Sequence, residues 1–208
     1  MVQEISTRDA YGLKLQELGR TNPNIVVLDA DLKKSTMTQF FAKEFPERFF
    51  DCGIAEANMV TIAAGLARSG KIPFASTFAV FLPGRCFDQV RMAISQPGLN
   101  VKLVTTHSGI SVGEDGISHQ AIEDLSLICA LPNFSVIVPA DAVETARAIE
   151  FAAAEEGPFY IRLGRPKVPV ILPDSYKFKL GKAVKMRHGK DVTIIAIGIL
   201  VKAALDAA

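Results

Sequence analysis

The stretch DCGIAEANMVTIAAGLARSGKIPFAST, residues 51–77, decides the fold. Its centre predicts a helix from Ile54 to Ser69, closed by Gly70, because glycine enters the left-handed conformation that ends helices without a steric penalty. IPFAST (72–77) follows as a short and almost continuously apolar strand, and another strand precedes the stretch near Phe49 to Asp51. Strands that do not alternate polar with apolar residues belong to a sheet buried on both faces.

The same alternation extends outward in both directions. TRDAYGLKLQELGR (7–20) predicts a helix with Leu13 and Leu18 on one face; TNPN turns the chain and NIVVLDA (24–30) reads as a buried strand. Downstream, a helix is expected near Phe81 to Ile94, then a strand at VKLVTT (101–106), a helical ISHQAIEDLSLICALP (117–132) and a strand at FSVIVPA (134–140). DAVETARAIEFAAAEEGP (141–158) is a helix opened by a D-x-x-E capping pattern at Asp141 and Glu144, and PFYIRL closes the series as a strand. The expected fold class is therefore α/β, a parallel sheet with helices on both faces.

Beyond Gly164 the texture changes. Prolines 166, 169 and 173 in a basic, weakly periodic stretch predict an interdomain linker over 166–190, which bounds a first domain at residues 1–165. DVTIIAIGILVKAALDAA (191–208) offers one strand, a glycine and the first turns of a helix. Such a pair cannot bury its own apolar faces, so residues 191–208 are expected to be the truncated start of another domain.

Composition excludes several function classes. Lys and Arg total 23 against 22 Asp and Glu, which leaves no long-range field to attract nucleic acid or an anionic membrane. Cys52, Cys86 and Cys129 lie far apart with no CxxC pair, which argues against a zinc site or a disulfide framework and for a reducing cytoplasm. MVQEISTRDA lacks the apolar stretch of a signal peptide, and no apolar run reaches the roughly 18 residues of a membrane span.

Three places could carry chemistry. THSGISVGEDGISHQ (106–120) follows a strand and holds His107, His119, Glu114, Asp115 and three glycines, at the carboxyl end of a parallel strand where open α/β sheets bind ligands. A solvated loop satisfying its own turns is the plain alternative; a metal site is another, although short ligand spacing is missing. Glu56 is the only charged residue between Asp51 and Arg68. A carboxylate in a first helical turn can merely complement the helix dipole, whereas one in apolar surroundings favours its protonated form and suits proton exchange. Phe78 and Phe81 lie three apart, as a core pair or as a platform for a flat heteroaromatic ring.

Taken together, GIAEANM (53–59), TFAVF (77–81), THSGISVGEDGISHQ and IRLGRPKVP (161–169) resemble transketolase, specifically its pyrimidine-binding domain and the start of its C-terminal domain, as in enzymes split into two polypeptides. The resemblance covers nearly the whole chain. It implies that Glu56 hydrogen-bonds the aminopyrimidine of thiamine diphosphate and promotes cofactor activation, that Phe78 and Phe81 stack on the ring, and that Asp31 and Leu32 in VVLDADLKKST lie beside and beneath the cofactor. FLPGRCF (81–87) is one residue longer than the family pattern, and Phe87 is the nearest candidate for a third aromatic contact. It further implies His107 and His119 toward the sugar hydroxyls and carbonyl oxygen, Asp115 toward a hydroxyl, and Arg8, Ser35 and Arg165 toward a terminal phosphate.

His107 favours transketolase over deoxyxylulose-phosphate synthase, and Arg165 with the GEDG segment separates the chain from 2-oxoacid dehydrogenase beta subunits. The family's G-D-G…N pattern for Mg2+ and the diphosphate does not occur in the sequence. The resemblance thus implies a homodimer of this chain completed by a diphosphate-binding N-terminal subunit, with Mg2+ bound by that partner, sugar phosphates as substrates, and no activity alone. The alternative from another class is a non-catalytic α/β interaction module.

Overall fold

The computed structural model describes residues 3–208; Met1 and Val2, with which the first domain was expected to begin, lie outside the described residues. In chain order the elements are β1 (Glu4–Ser6), α1 (Thr7–Thr21), β2 (Ile25–Asp29), α2 (Lys33–Thr36), α3 (Gln39–Glu44), β3 (Phe49–Asp51), α4 (Glu56–Arg68) and β4 (Ile72–Phe78). They continue with α5 (Leu82–Arg85), α6 (Phe87–Gln89), β5 (Lys102–Thr106), α7 (Asp124–Cys129), β6 (Ser135–Ile137), α8 (Ala142–Ala154), β7 (Phe159–Arg162), β8 (Lys167–Pro169) and α9 (Leu200–Ala207).

Six strands form one sheet in the order β3-β2-β4-β5-β7-β6, and all of its pairings are parallel. Every residue of β2 and β5 is buried, as continuous apolar runs require of central strands covered on both faces. One face packs Leu28, Ala75 and Leu103 against Met59, Val60 and Ala63 of α4 and against Val90 and Ile94. The other packs Val27, Phe74, Val104 and Ile161 against Tyr11 and Leu15 of α1 and Ala148 and Ile149 of α8.

Several elements differ from expectation. Leu13 is 55% exposed, because Tyr11 and Leu15, four residues apart, form the buried stripe of α1. The single helix expected over 81–94 is broken into α5, α6 and a wider π-type turn at Val90–Ser95, a form that absorbs an extra residue within a helical path. ISHQAIEDLSLICALP is helical only at a 3-10 turn (Ile117–His119) and in α7. DVTIIAIG forms no strand: Val192, Ile194, Ile195 and Ile197 are exposed, and no neighbouring strand edge pairs with them among the described residues.

One ladder was not anticipated. Within the stretch read as a linker, β8 pairs antiparallel with β1, matching Ser6 to Lys167 and Glu4 to Pro169. The Thr7 hydroxyl accepts from the Gly164 N–H at 3.0 Å, so chain positions 157 residues apart are held together. Asp141 secures the return of the chain after β8. Its side chain is fully buried; Oδ1 accepts the Glu144 N–H at 2.9 Å as the helix cap, while Oδ2 accepts the Ile171 and Leu172 N–H groups at 2.8 Å each. At the opposite end of the sheet the buried Lys102 ammonium donates to Asn100 Oδ1 and to the Glu155 and Gly157 carbonyls.

Asp141→Ala strands those three N–H groups and is expected to lower unfolding free energy by about 2–4 kcal/mol, read from the urea midpoint. A loss indistinguishable from that of an exposed aspartate would contradict this account.

Candidate active site

Parallel strands release their loops at one edge, and the candidate residues gather there. The β2 exit carries Asp31, Leu32 and Ser35; the β3 exit leads to Glu56; the β4 exit carries Phe78 and Phe81. The β5 exit carries His107 to His119, and β7 leads to Arg165. Arg8, in the first turn of α1, follows directly on the β1–β8 ladder, which ends at Ser6–Lys167, and lies close enough to Arg165 to feel its charge.

Glu56 opens α4 and is 5% exposed. Its surroundings are not wholly apolar, because Arg85 Nη1 donates to Glu56 Oε1 at 2.8 Å. The same guanidinium lies over the Phe81 ring, 4.1 Å from its centroid. Sequence reasoning missed Arg85, which lies 29 residues from its partner in the segment one residue longer than expected.

The aromatic side chains form one stack. Phe78 lies 5.6 Å from Phe81 at 19° between ring planes, and 3.8 Å from the His107 imidazole at 23°. His119 meets Phe81 edge-on at 5.3 Å and Phe78 at 6.0 Å. Residues 107 and 119 can share one cluster because the Gly109 N–H donates to the Ala121 carbonyl at 2.9 Å, closing the loop between them. Arg162 supports that closure from below: its guanidinium pairs with the buried Asp124 at 2.7 Å and donates to Ala121 O at 3.3 Å. Phe87 instead packs against the core of the α4 face and joins no ring pair of the cluster among the described residues.

Asp29, at the end of β2, organises the next loop. Fully buried, it accepts the Leu32 N–H at 2.6 Å and the Thr36 and Thr38 hydroxyls at 2.7 and 2.8 Å. Burial pushes its carboxyl up to about 6 despite those donors. Asp31, exposed, takes a left-handed conformation at φ 60°, and its N–H donates to Asp51 Oδ1 at 3.1 Å. Arg8 Nη1 donates to the Ser35 carbonyl at 2.9 Å, while Arg8 Nε is buried with no partner among the described residues.

Arg165 is forked onto the Glu114 carboxylate and also donates to the Val112 carbonyl. This pairing holds Glu114 down to about 2, and the sequence reading had left Glu114 without a role. Gly113 sits at φ +89°, a conformation that would strain any residue with a Cβ. His107, also left-handed at φ 58°, is buried, and burial followed by the nearby positive charges of Arg8 and Arg165 pushes its imidazole down to about 4. A neutral His107 at physiological pH shares a hydrogen bond of 2.9 Å between Nδ1 and the Thr106 hydroxyl. Among the described residues no group of three or more His, Cys, Asp or Glu side chains is gathered to hold a metal ion, and no helix is long and apolar enough to cross a membrane.

An α/β domain that presents a carboxyl group, stacked aromatic rings, paired imidazoles and paired arginines at one sheet edge is the architecture matched by the family described as "Transketolase, pyrimidine binding domain", over residues 3–170. The chain belongs to the transketolase family. It is 49% identical over 202 residues to the "Putative transketolase C-terminal section" of Methanocaldococcus jannaschii, covering 96% of this chain and 64% of that one. A solved "Split gene transketolase, inactive beta4 tetramer" superposes with a TM-score of 0.89 at 56% identity, covering 98% of this chain and 65% of that one. A transketolase of Pichia stipitis in complex with sedoheptulose 7-phosphate superposes with a TM-score of 0.83 at 27% identity, covering 99% of this chain and 32% of that one. This chain therefore spans under two thirds of the length of these relatives.

Two measurements probe the site. The His107 ring is expected to titrate with a midpoint of about 4 by NMR, and a midpoint near that of a solvated histidine would contradict its burial beside two arginines. Asp29→Ala removes the acceptor of three donors and is expected to cost about 2–4 kcal/mol and to speed amide exchange across residues 31–36. Unchanged exchange there would mean that the loop is held by other contacts.

Proposed function

We propose that this chain is the pyrimidine-binding part of a thiamine-diphosphate-dependent transketolase, which transfers a two-carbon ketol unit between ketose and aldose phosphates. The observation that carries the reading is the buried Glu56 carboxyl, joined through Arg85 to the Phe78–Phe81 stack beside the imidazoles of His107 and His119. A carboxyl group and an aromatic face suit a flat ring bearing nitrogen acceptors and an amino group. Thiamine diphosphate, when bound, supplies the electron sink for carbon–carbon bond cleavage.

The roles of this chain's side chains follow from their chemistry. Glu56 shares a proton with the pyrimidine ring nitrogen, Phe81 and Phe78 give the ring its stacking surface, and Leu32 and Asp31 border the cofactor. His107, neutral and with one nitrogen engaged by Thr106, has its other nitrogen for a substrate oxygen. His119 and Asp115 complete the contacts to carbonyl and hydroxyl groups. Arg8, Ser35 and Arg165 receive the terminal phosphate; the buried Arg8 Nε, without a partner among the described residues, and the nearby charge of Arg165 support an anion there.

In this reading Mg2+ and the diphosphate are held by an N-terminal subunit, this chain pairs with a second copy, and the assembly works in the cytoplasm. Residues 1–165 form the pyrimidine-binding domain, 166–190 lead out of it and 191–208 begin the next. Support for partners comes from the exposed Ile54, Ile110, Ile117 and Ile122 on the loops about the site, a grouping that isolated surfaces rarely leave to water.

Mixing the chain with a diphosphate-binding subunit, Mg2+ and thiamine diphosphate is expected to yield ketol transfer from xylulose 5-phosphate. A parallel reaction of pyruvate with glyceraldehyde 3-phosphate is expected to be far slower. Glu56→Ala is expected to lower kcat by at least about a hundredfold while leaving the thermal transition in place. Undiminished transfer by that variant would remove the assignment.

A further inference from the structure

The Arg85 guanidinium makes, within this chain, the two contacts that the proposed function assigns to the pyrimidine. It donates to Glu56 Oε1 at 2.8 Å, and it stacks over Phe81 with 4.1 Å to the ring centroid. A guanidinium is planar and rich in N–H donors, so it can satisfy a carboxylate and cover an aromatic face as a flat nitrogen heterocycle does. Both cannot occupy the same face of Phe81.

We propose that Arg85 is a positioning residue that acts as a placeholder, keeping Glu56 paired and Phe81 covered until an aminopyrimidine ring takes over both contacts and Arg85 swings into solvent. The inference rests on the reading of the site as a thiamine-diphosphate site. The two partners are unequal in a way that permits such an exchange: the Glu56 side chain is 6% exposed and fixed on α4, whereas the Arg85 side chain is 51% exposed. Arg85 ends α5, a single turn followed by the break at Cys86 and the π-type turn, so its backbone is not locked inside a long helix.

The other groups that face this pair are the buried Cys86 thiol, pushed up to about 12 by burial and then by Glu56, and His119, edge-on to Phe81. A thiol held protonated does not supply the charge that Arg85 supplies.

The test is calorimetric titration of thiamine diphosphate with Mg2+ into the reconstituted two-subunit complex. Arg85→Gln is expected to bind about three- to tenfold more tightly than the unmodified complex, since a half-exposed ion pair no longer competes. Arg85→Lys, which keeps the charge, is expected to bind as the unmodified complex does. Equal or weaker binding by Arg85→Gln overturns the placeholder while leaving the cofactor site standing. Absence of binding by every complex overturns both.

Discussion

A parallel sheet covered on both faces can release functional loops only at its ends, and this constraint governs the molecule. Burial of every residue in β2 and β5 fixes the registers of the central strands, and those registers align the exits at Asp29, Phe78 and Thr106 along one edge. The side chains that define the site come from five exits and from the first turn of α1, yet none needs an unusual fold to meet the others. What each exit needs is a local anchor, and the anchors are buried and polar. Asp29 holds the loop after β2, Asp124 with Arg162 holds the loop after β5, and Asp141 holds the chain after β8.

These anchors explain where the sequence could and could not be read. The helix over the opening motif, its Gly70 stop and the strands flanking it were legible because period, length and punctuation agree. The D-x-x-E cap was legible for the same reason, since Asp141 and Glu144 act within one turn. Glu56, Phe78, Phe81, His107 and His119 stand in one neighbourhood. Arg85 was not legible as a partner of Glu56, because the pair spans 29 residues and lies where the spacing departs from the family pattern. Nor was the β1–β8 ladder: three-residue strands carry almost no periodic signal, and the prolines around β8 argued for a linker. The consequence reached the site, for that ladder ties together the chain segments that carry Arg8 and Arg165.

Charge is managed differently at the two ends of the candidate site. Near α4 a single carboxylate faces a guanidinium and aromatic rings. Near β7 two arginines stand together with a histidine whose charged form burial and then their charges disfavour. The first arrangement is balanced in charge, and the second carries excess positive charge moderated by Glu114. An elongated ligand with a proton-sharing ring at one end and an anionic group at the other fits that polarity, and the neutral His107 lies between.

The ion pairs of the site fall into two kinds, and burial separates them. Asp124 with Arg162 is nearly sealed, its side chains 2% and 18% exposed, so opening it would leave an uncompensated charge in a low dielectric. Each of the other pairs has one member in water: Arg85 at 51% in the pair with Glu56, and Glu114 at 77% in the pair with Arg165. Solvent screens such pairs and rehydrates the exposed partner when it leaves. Thus the groups beneath the loops are built to stay, while those capping Glu56 and Arg165 can yield. A site composed this way keeps its shape when empty and still gives up its internal contacts to a ligand that replaces them, because the contacts it surrenders are the ones that water already shares.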